Sequence, residues 1–514
     1  MGDSKRRHAL AKQQVVEALG LETAGGRLQV RWNDGAQATP QGQMAFFIEF
    51  LTITGLFAAW LANCPLTYGS PNGSSLRDIL GTWLMSILSG HWRYAHVTAI
   101  RADGVNPQLW GMSRVVSEDT LRRALAAMDE ATGVAWLNDH LDRTVRPLLK
   151  APWILDMDVT VKPIYGRQEG AVVGYNPKKP GRPSHAYHTY QVSGLRLLLG
   201  VDVSPGNATH ANHTLPGLLA LLDRLPKEQR PQCVRGDAGT SGEPTLAGLD
   251  ERHVHYLFKL RQTQNVKRHI ERTFFGAGWT DAGQGWEGKD GQLRLHGWSR
   301  ARRVVVLRRR LKGEVLVADD RQQELAFIEK GATIKAYEFA VLVTDLPHEI
   351  LTLAQLYRDR GDAENTFDEL KNQWGWGGFT TTDLKRCQLS ALAVALVYNW
   401  WSLFVRLGHP KARLEAITSR PLLLSAVAQR TTHAGQQHLL ITPQHGDAPR
   451  AKNLLTTIHG LLKQFKQRAE QLRETTVWQL VCDHLIETVT GFRRGVTPLL
   501  PPPPPTLVGA NCGF

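Results

Sequence analysis

The chain has 514 residues, 42% of them hydrophobic and 21% charged, with a formal net charge of +14 and a pI near 9.6. That length and apolar share exclude a disordered tail or a peptide-sized module and leave room for several domains of about 100–200 residues each. The positive charge argues for a polyanionic partner, nucleic acid or an anionic surface, and five scattered cysteines without a C-x-x-C pair argue against a zinc module and for free thiols in a reducing compartment.

Residues 1–40 read as a polar N-terminal arm. "MGDSKRRHALAKQQ" has no apolar h-region of a signal peptide, and position 6 lacks the Ser or Thr of a myristoylation site. Residues 41–150 read as helical. The clearest piece is "VSEDTLRRALAAMDEATG", with Ser117 as N-cap, acids in the first turn, Leu121, Leu125 and Met128 as an apolar stripe, and Gly133 after the last turn. With Arg122 and Arg123 off that stripe, it suits a DNA-recognition helix or an amphipathic packing helix equally. Two apolar stretches, from Phe46 to Leu61 and from Leu389 to Val405, fall short of the roughly 20 residues a membrane span needs. Both are expected to be buried core helices, the second with Asn399 inside it.

At Trp153 the texture changes. "WILDMDVTV", "HTYQVS" and "LRLLLGVDVS" read as strands, "LPGLLALLDRL" as a helix, "QCVRGDAG" as a short strand ending in Asp237, "EPTLAGLDERH" as a helix and "HYLFKLR" as a strand. Residues 151–265 are therefore expected to form the first part of a mixed α/β sheet. Residues 266–346 read as a β-rich insertion of strands joined by Gly-containing turns. The α/β texture resumes over 347–410, residues 411–490 read as helical and basic, and 491–514 as a Pro-rich tail containing Pro501 to Pro505.

The chemistry concentrates in "YRDRGDAENTFDELK", residues 357–371. Read as one α-helix turning roughly 100° per residue, it brings Tyr357, Arg360, Glu364 and Lys371 within about 60° of one another. An aromatic hydroxyl, two cations and a carboxylate on one face suit a metal-bound phosphate better than a solvated surface. Asp156 and Asp158 lie two apart in a strand and share a face, and Asp237 ends another strand. Carboxylates from three elements make a hard-oxygen site for Mg²⁺ or Mn²⁺, and two such ions about 4 Å apart can clamp an in-line displacement at phosphorus. A lone Asp at a strand end is usually a cap or turn residue; the order of the acids and the helix pattern carry the reading.

The spacing Y-x2-R-x3-E-x6-K at Tyr357, Arg360, Glu364 and Lys371 resembles the signature of DDE transposases of the IS-four superfamily of bacterial insertion sequences. "DMDVT" resembles the first-Asp motif, giving Asp158, and "VRGDAGTSGEP" the second, giving Asp237. "AVVGYNPKKPGRPSH" and "NQWGWGGF" look like the IS-thirteen-eighty branch. The resemblance covers about residues 40–490. It implies an α/β, RNase H-like (retroviral-integrase-like) catalytic core with a β-rich insertion, flanked by helical N- and C-terminal regions. The first Asp would stand on the first strand and the second on the fourth. It implies metal-dependent cleavage of DNA at terminal inverted repeats and strand transfer into target DNA, with Asp158, Asp237 and Glu364 as metal-binding catalytic acids. The cofactor would be Mg²⁺, with Mn²⁺ as substitute, two ions per site. Tyr357, Arg360 and Lys371 would contact phosphates. The helical 41–150 region would bind DNA ends, and the protein would act as a homodimer or higher multimer on double-stranded DNA in a bacterial cytoplasm, with no membrane partner.

Asp156 is a runner-up ligand, read as structural, and Asp368 as an exposed helix acid. Some relatives stack a flipped base on an aromatic of the insertion; here Tyr337 and Phe339 occupy that region, and core packing competes for each ring. The basic loop "NPKKPGRP" offers Lys178, Lys179 and Arg182 to DNA. "RARRVVVLRRRLK" (300–312) reads equally as a DNA-tracking strand or a charged, protected edge. His185 and His188 read as loop or core histidines, and Trp374 and Trp376 as core caps or DNA contacts. Two other functions compete with this reading: a catalytically silent relative acting as a repressor, and a glycosyltransferase using "DMD" to bind a metal–nucleotide sugar.

Overall fold

The computed structural model describes residues 19–493, apart from 34, 68–72, 151, 177, 311–336, 380, 443–445 and 474. Its frame is a ten-stranded mixed sheet. Strand β1 (Ile154–Pro163) is rich in Ile, Val and Thr and largely buried. It pairs antiparallel with β2 (Pro183–Val192), which pairs antiparallel with β3 (Leu197–Pro205). Gly194 and Arg196, both at positive φ, turn the chain between β2 and β3. On its other side β1 runs parallel to β4 (Cys233–Gly236), and β4 parallel to β5 (His255–Lys259). Helices α3 (Leu215–Arg224) and α4 (Glu243–Glu251) cross between these strands; two earlier helices are α1 (Glu118–Ala127) and α2 (Glu130–Val145).

The segment expected to be a β-rich insertion opens instead with a helix, α5 (Gln264–Phe274), whose buried face is Val266, Ile270 and Phe274 at helical spacing. Its strands β6 (Thr280–Gly283), β7 (Trp286–Leu293), β8 (Arg302–Arg310) and β9 (Tyr337–Thr344) widen the same sheet, with β9 antiparallel to β5. The sheet order is therefore β6-β7-β8-β9-β5-β4-β1-β2, with β3 and the two-residue strand Val172–Val173 both on the far edge of β2. Three arginines of the basic stretch are spent inside this sheet. Arg303 pairs with Asp290 at 2.7 Å, Arg308 with Glu287 at 2.8 Å and Arg309 with Glu338 at 2.6 Å. Arg302 is buried against Glu243, Asp250 and Tyr256. Cross-strand pairing of this kind favours the charged-sheet reading over a DNA-tracking stripe. Lys312 lies outside the described residues.

After β9 come α6 (Ile350–Arg358), α7 (Gly361–Gln373) and α8 (Leu384–Gly408). Helix α8 is long and apolar enough to cross a membrane by composition, yet its apolar window is wholly buried within the protein. Asn399 explains its own presence there. Its Oδ1 accepts from Leu198 N at 2.9 Å and its Nδ2 donates to Leu198 O at 2.8 Å, and the Gln388 amide does the same for Val201 and Val203. Two helix amides thus satisfy the edge of β3. Trp60 stacks on Trp136 at 5.4 Å and meets Trp400 edge-on at 5.8 Å, so the N-terminal helices and α8 share one core.

Four further expectations are corrected. The described end of the N-terminal arm is structured: Leu19–Thr23 and Gly26–Val30 form a hairpin around Gly26 at φ +111°, and Gln37–Thr39 is a strand. The helix over "VSEDTLRRALAAMDEATG" ends at Ala127, because Asp129 caps a new helix by accepting from Thr132 N at 3.0 Å, which places Gly133 inside α2. The C-terminal region is not all helical. Before α9 (Ala448–Leu472), a hairpin of Val427–His433 and Gln436–Thr442 pairs with Gln37–Thr39. Residues 491–493 of the expected Pro-rich tail instead end the helix Val477–Arg493, and the rest of the tail lies outside the described residues.

Candidate active site

Register builds the site. In the β1–β4 pair, Ile154, Leu155 and Asp156 stand beside Cys233, Val234 and Arg235. Two residues further along each strand come Asp158 and Asp237. Strand β4 stops at Gly236 while β1 continues to Pro163, so Asp158 lies where its parallel neighbour has ended. Asp158 is therefore mid-strand on its own element and at the sheet's end with respect to β4. Asp237 opens a turn: its Oδ1 accepts from Gly239 N at 2.8 Å and its carbonyl from the Thr240 hydroxyl at 2.8 Å.

Asp156 and Asp158 have different fates. Both oxygens of Asp156 are taken by Arg235, at 2.6 and 2.7 Å, and both side chains are 1% exposed. Arg235 also donates to Ser193 Oγ at 2.7 Å and to the Leu356 carbonyl, tying β1, β2, β4 and α6 together. Asp156 thus holds the frame, and Asp158 faces the site.

The helix expected over 357–371 is broken in two. Arg360 N bonds Tyr357 O at 3.2 Å and Ala363 N bonds Arg360 O at 2.9 Å, tight i−3 bonds that flank Gly361 and separate α6 from α7. The break still gathers the motif. Arg360 Nη1 donates to Asp158 Oδ2 at 2.7 Å, and Nη2 to Glu364 Oε1 at 3.3 Å. Tyr357 places its ring 5.8 Å from the same guanidinium. Lys371, half-buried on α7, has its pKa lowered by burial and by the neighbouring charge of Lys178, with Asp368 and Asp158 acting the other way. Lys178 belongs to the basic loop that precedes β2. Lys179 and Arg182 from that loop place their cations 5.0 and 4.8 Å from the ring of Tyr165.

Burial is the largest influence on Asp158, and the negative charge of Asp237 adds to it. The carboxyl is pushed up from 3.8 to about 6 despite the Arg360 ion pair. Between those values the folded chain holds a proton that the unfolded chain has released, so the Asp158 contribution to stability falls as pH rises through that window. Asp158→Asn is expected to flatten the pH dependence of the urea midpoint over that window; an unchanged slope would place the carboxyl at its ordinary value.

Other expected site residues lie elsewhere. Phe339 is 2% exposed and packs at 5.9 Å on Phe274, while Tyr337 sits between Phe274 and Arg308 at 5.4 and 5.3 Å. Neither offers an open shelf. Trp374 and Trp376 are buried, bonded to Glu369 and to the Ala391 carbonyl at 3.1 Å each. His188 is satisfied by Thr214 and Ser204, and His185 bonds the Glu169 carbonyl. Asp368 accepts from Asn372 on the exposed face of α7.

Two neighbours of Asp237 escaped the sequence reading. His210, in a π-helical turn over 210–214, bonds Thr245 Oγ1 at 3.1 Å through Nε2, and its Nδ1 has no partner among the described residues. Burial pushes its imidazole down to about 4, with Asp237 opposing and Arg261 assisting. Arg261 comes within 3.9 Å of where a side chain on Gly239 would begin. Nothing periodic marks either residue; only the fold brings them to Asp237.

A metal fits the donor chemistry, since Asp158, Asp237 and Glu364 are hard oxygen donors. Asp158 and Glu364 already share one cation, the Arg360 guanidinium. Glu364 itself remains 67% exposed, and among the described residues no three metal-ligating side chains are gathered around one point.

The family model described as "Transposase DDE domain group 1" matches residues 33–463, and the chain belongs to that family. No curated protein matches the chain. Among solved structures, a synaptic complex of piggyBac transposase with hairpin DNA is similar at 12% identity over 90% of this chain and 87% of that one, with a TM-score of 0.37, too low to carry an argument.

Proposed function

We propose that this transposase cuts DNA at the terminal inverted repeats of a bacterial insertion sequence and transfers the strands into target DNA. On this reading the sheet β3-β2-β1-β4-β5 is an RNase H-like core, and the chain is of the IS-four superfamily, nearest its IS-thirteen-eighty branch. The observation that carries the proposal is the juxtaposition of Asp158 and Asp237 beyond the end of β4, with Arg360 linking Asp158 to Glu364. Asp158, Asp237 and Glu364 would hold Mg²⁺, which lowers the pKa of bound water and offsets charge on a phosphate oxygen. Arg360 suits a two-pronged grip on a phosphate beside the cut, and Lys371 and Lys178 supply point charges along the same strand. Tyr357, its hydroxyl pKa raised by burial, remains a neutral donor. The working form would be a multimer on paired ends in the bacterial cytoplasm.

The test is an end-labelled duplex carrying the element's terminus, incubated with purified protein and Mg²⁺. Cutting at the boundary supports the proposal; binding without cutting supports the repressor reading. The glycosyltransferase reading is weaker, because both oxygens of Asp156 are committed to Arg235. Salt dependence gives a second check. Lys178→Ala and Lys371→Ala should each reduce the slope of log K against log salt by about 0.9, one phosphate's share. An unchanged slope in both would remove these lysines from the DNA path.

A further inference from the structure

A cleft of about 390 Å³ opens between the N-terminal helices, the far end of β1 and the Gly-rich turn after α7. It lies five residues along β1 from Asp158, roughly 17 Å at the usual strand rise. Its walls include Trp92, Arg93, Arg122, Tyr165, Gln168 and Phe379. Trp92 is 51% exposed and Tyr165 68%, unusual for large aromatics. The amide oxygen of Gln168 is buried with no hydrogen-bond partner among the described residues. Cations stand at the opening: Arg93, and Lys179 and Arg182 at Tyr165, while Arg122, 4.8 Å from the Tyr94 ring, is paired with Glu118 at 2.8 Å.

The walls are locked together. Phe379 N donates to the Trp92 carbonyl, and a Cβ on Gly378 would meet that carbonyl oxygen at 2.0 Å, so only glycine permits the approach. Lys162, from β1, donates to the Gly378 carbonyl beneath. Lys179 and Arg182, at the cleft, come from the same loop as Lys178, whose charge bears on Lys371.

Exposed rings, surrounding cations and an unsatisfied amide match the parts of one ligand. A base stacks on an aromatic face, its edge bonds an amide, and its phosphates need positive charge. We infer that this cleft binds an unpaired nucleotide of the DNA strand whose backbone passes Lys371 and Lys178, with Trp92 as the stacking surface and Gln168 reading the base edge. The inference rests on the DNA-cutting reading of the chain.

The test is binding in EDTA, where nothing is cut. Two duplexes of the same terminal sequence are compared, one blunt and one with a three-nucleotide single-stranded tail carrying 2-aminopurine. Wild type should bind the tailed duplex more tightly and quench its emission. Trp92→Ala should weaken tailed binding roughly 5- to 150-fold, the range for loss of one stacked base, and abolish the quenching, with blunt binding unchanged. Trp92→Phe should restore most of both, and Gln168→Leu should weaken tailed binding alone. Equal losses on both duplexes, or no preference for the tail in wild type, would overturn the inference. So would displacement of the tail by free dAMP at equal concentration, which would mean a mononucleotide site. Because no metal is present, failure here leaves the catalytic reading standing, and a dead catalytic site leaves this result standing.

Discussion

Asp158→Ala is expected to lower the rate of cutting at a labelled DNA terminus by about 10³-fold or more, while DNA affinity changes by less than about threefold. A metal clamp is worth several kcal/mol of charge stabilisation, and each 1.36 kcal/mol is about a factor of ten in rate. Asp237→Ala should match it, since each acid lies two residues beyond the last β1–β4 pair, Asp156 and Arg235. Glu364→Ala is the sharper case. Its side chain is far more exposed than Asp158, 67% against 15%, and Arg360 is its described partner. A comparable loss on Glu364→Ala would mean that Glu364 turns inward when the site is loaded. Cutting at the wild-type rate would remove Glu364 from the catalytic set and leave two acids.

Asp156→Ala should be the most damaging change to stability in this region, by about 3–5 kcal/mol. It strips the Arg235 guanidinium of the carboxylate that takes two of its N–H bonds, in a place where both side chains are 1% exposed. Desolvation of an unpaired charge, rather than loss of the pair's attraction, sets that cost. Arg235→Ala should cost about as much for the mirrored reason. The double replacement Asp156→Leu, Arg235→Met should lie far closer to wild type, because no buried charge remains. Urea unfolding of the four proteins tests this. Single and double replacements of equal cost would show that the pair's own attraction dominates.

Much of this site was legible because its signals are local. The strand around Asp158, the short strand before Asp237 and the four spaced residues from Tyr357 to Lys371 are each read within a few turns of chain. What escaped depends on distant partners. Asp156 meets Arg235 from 79 residues away, and nothing in "DMD" says which acid the frame will claim. The break at Gly361 was masked because the residues around it keep helical dihedrals, Arg360 at φ −61° and ψ −20°. The arginines near 300–310 fitted a DNA path and a charged edge equally until β7, β9 and α4 supplied acids to most of them. Strands β8 and β9 were visible as strands and β6 and β7 were not, and the joining of β9 to β5 was hidden because edge pairing leaves no mark in composition. Asn399 was conspicuous inside an apolar run, and only the adjacent edge of β3 gives the reason.

The small sheet that joins Gln37–Thr39 to the hairpin beginning at Val427 sets a timetable for synthesis. Gln43, just after that strand, donates to the Leu422 carbonyl, 379 residues later in the chain. At roughly 5–20 residues per second, the N-terminal segment emerges from the ribosome about 20–75 s before its partner exists. Until then it must wait unpaired or be sheltered by a chaperone. A product that terminates early, before the hairpin, would keep all three acids and still lack the closure that seats its first helices, so nearly the whole message must be translated before an enzyme exists.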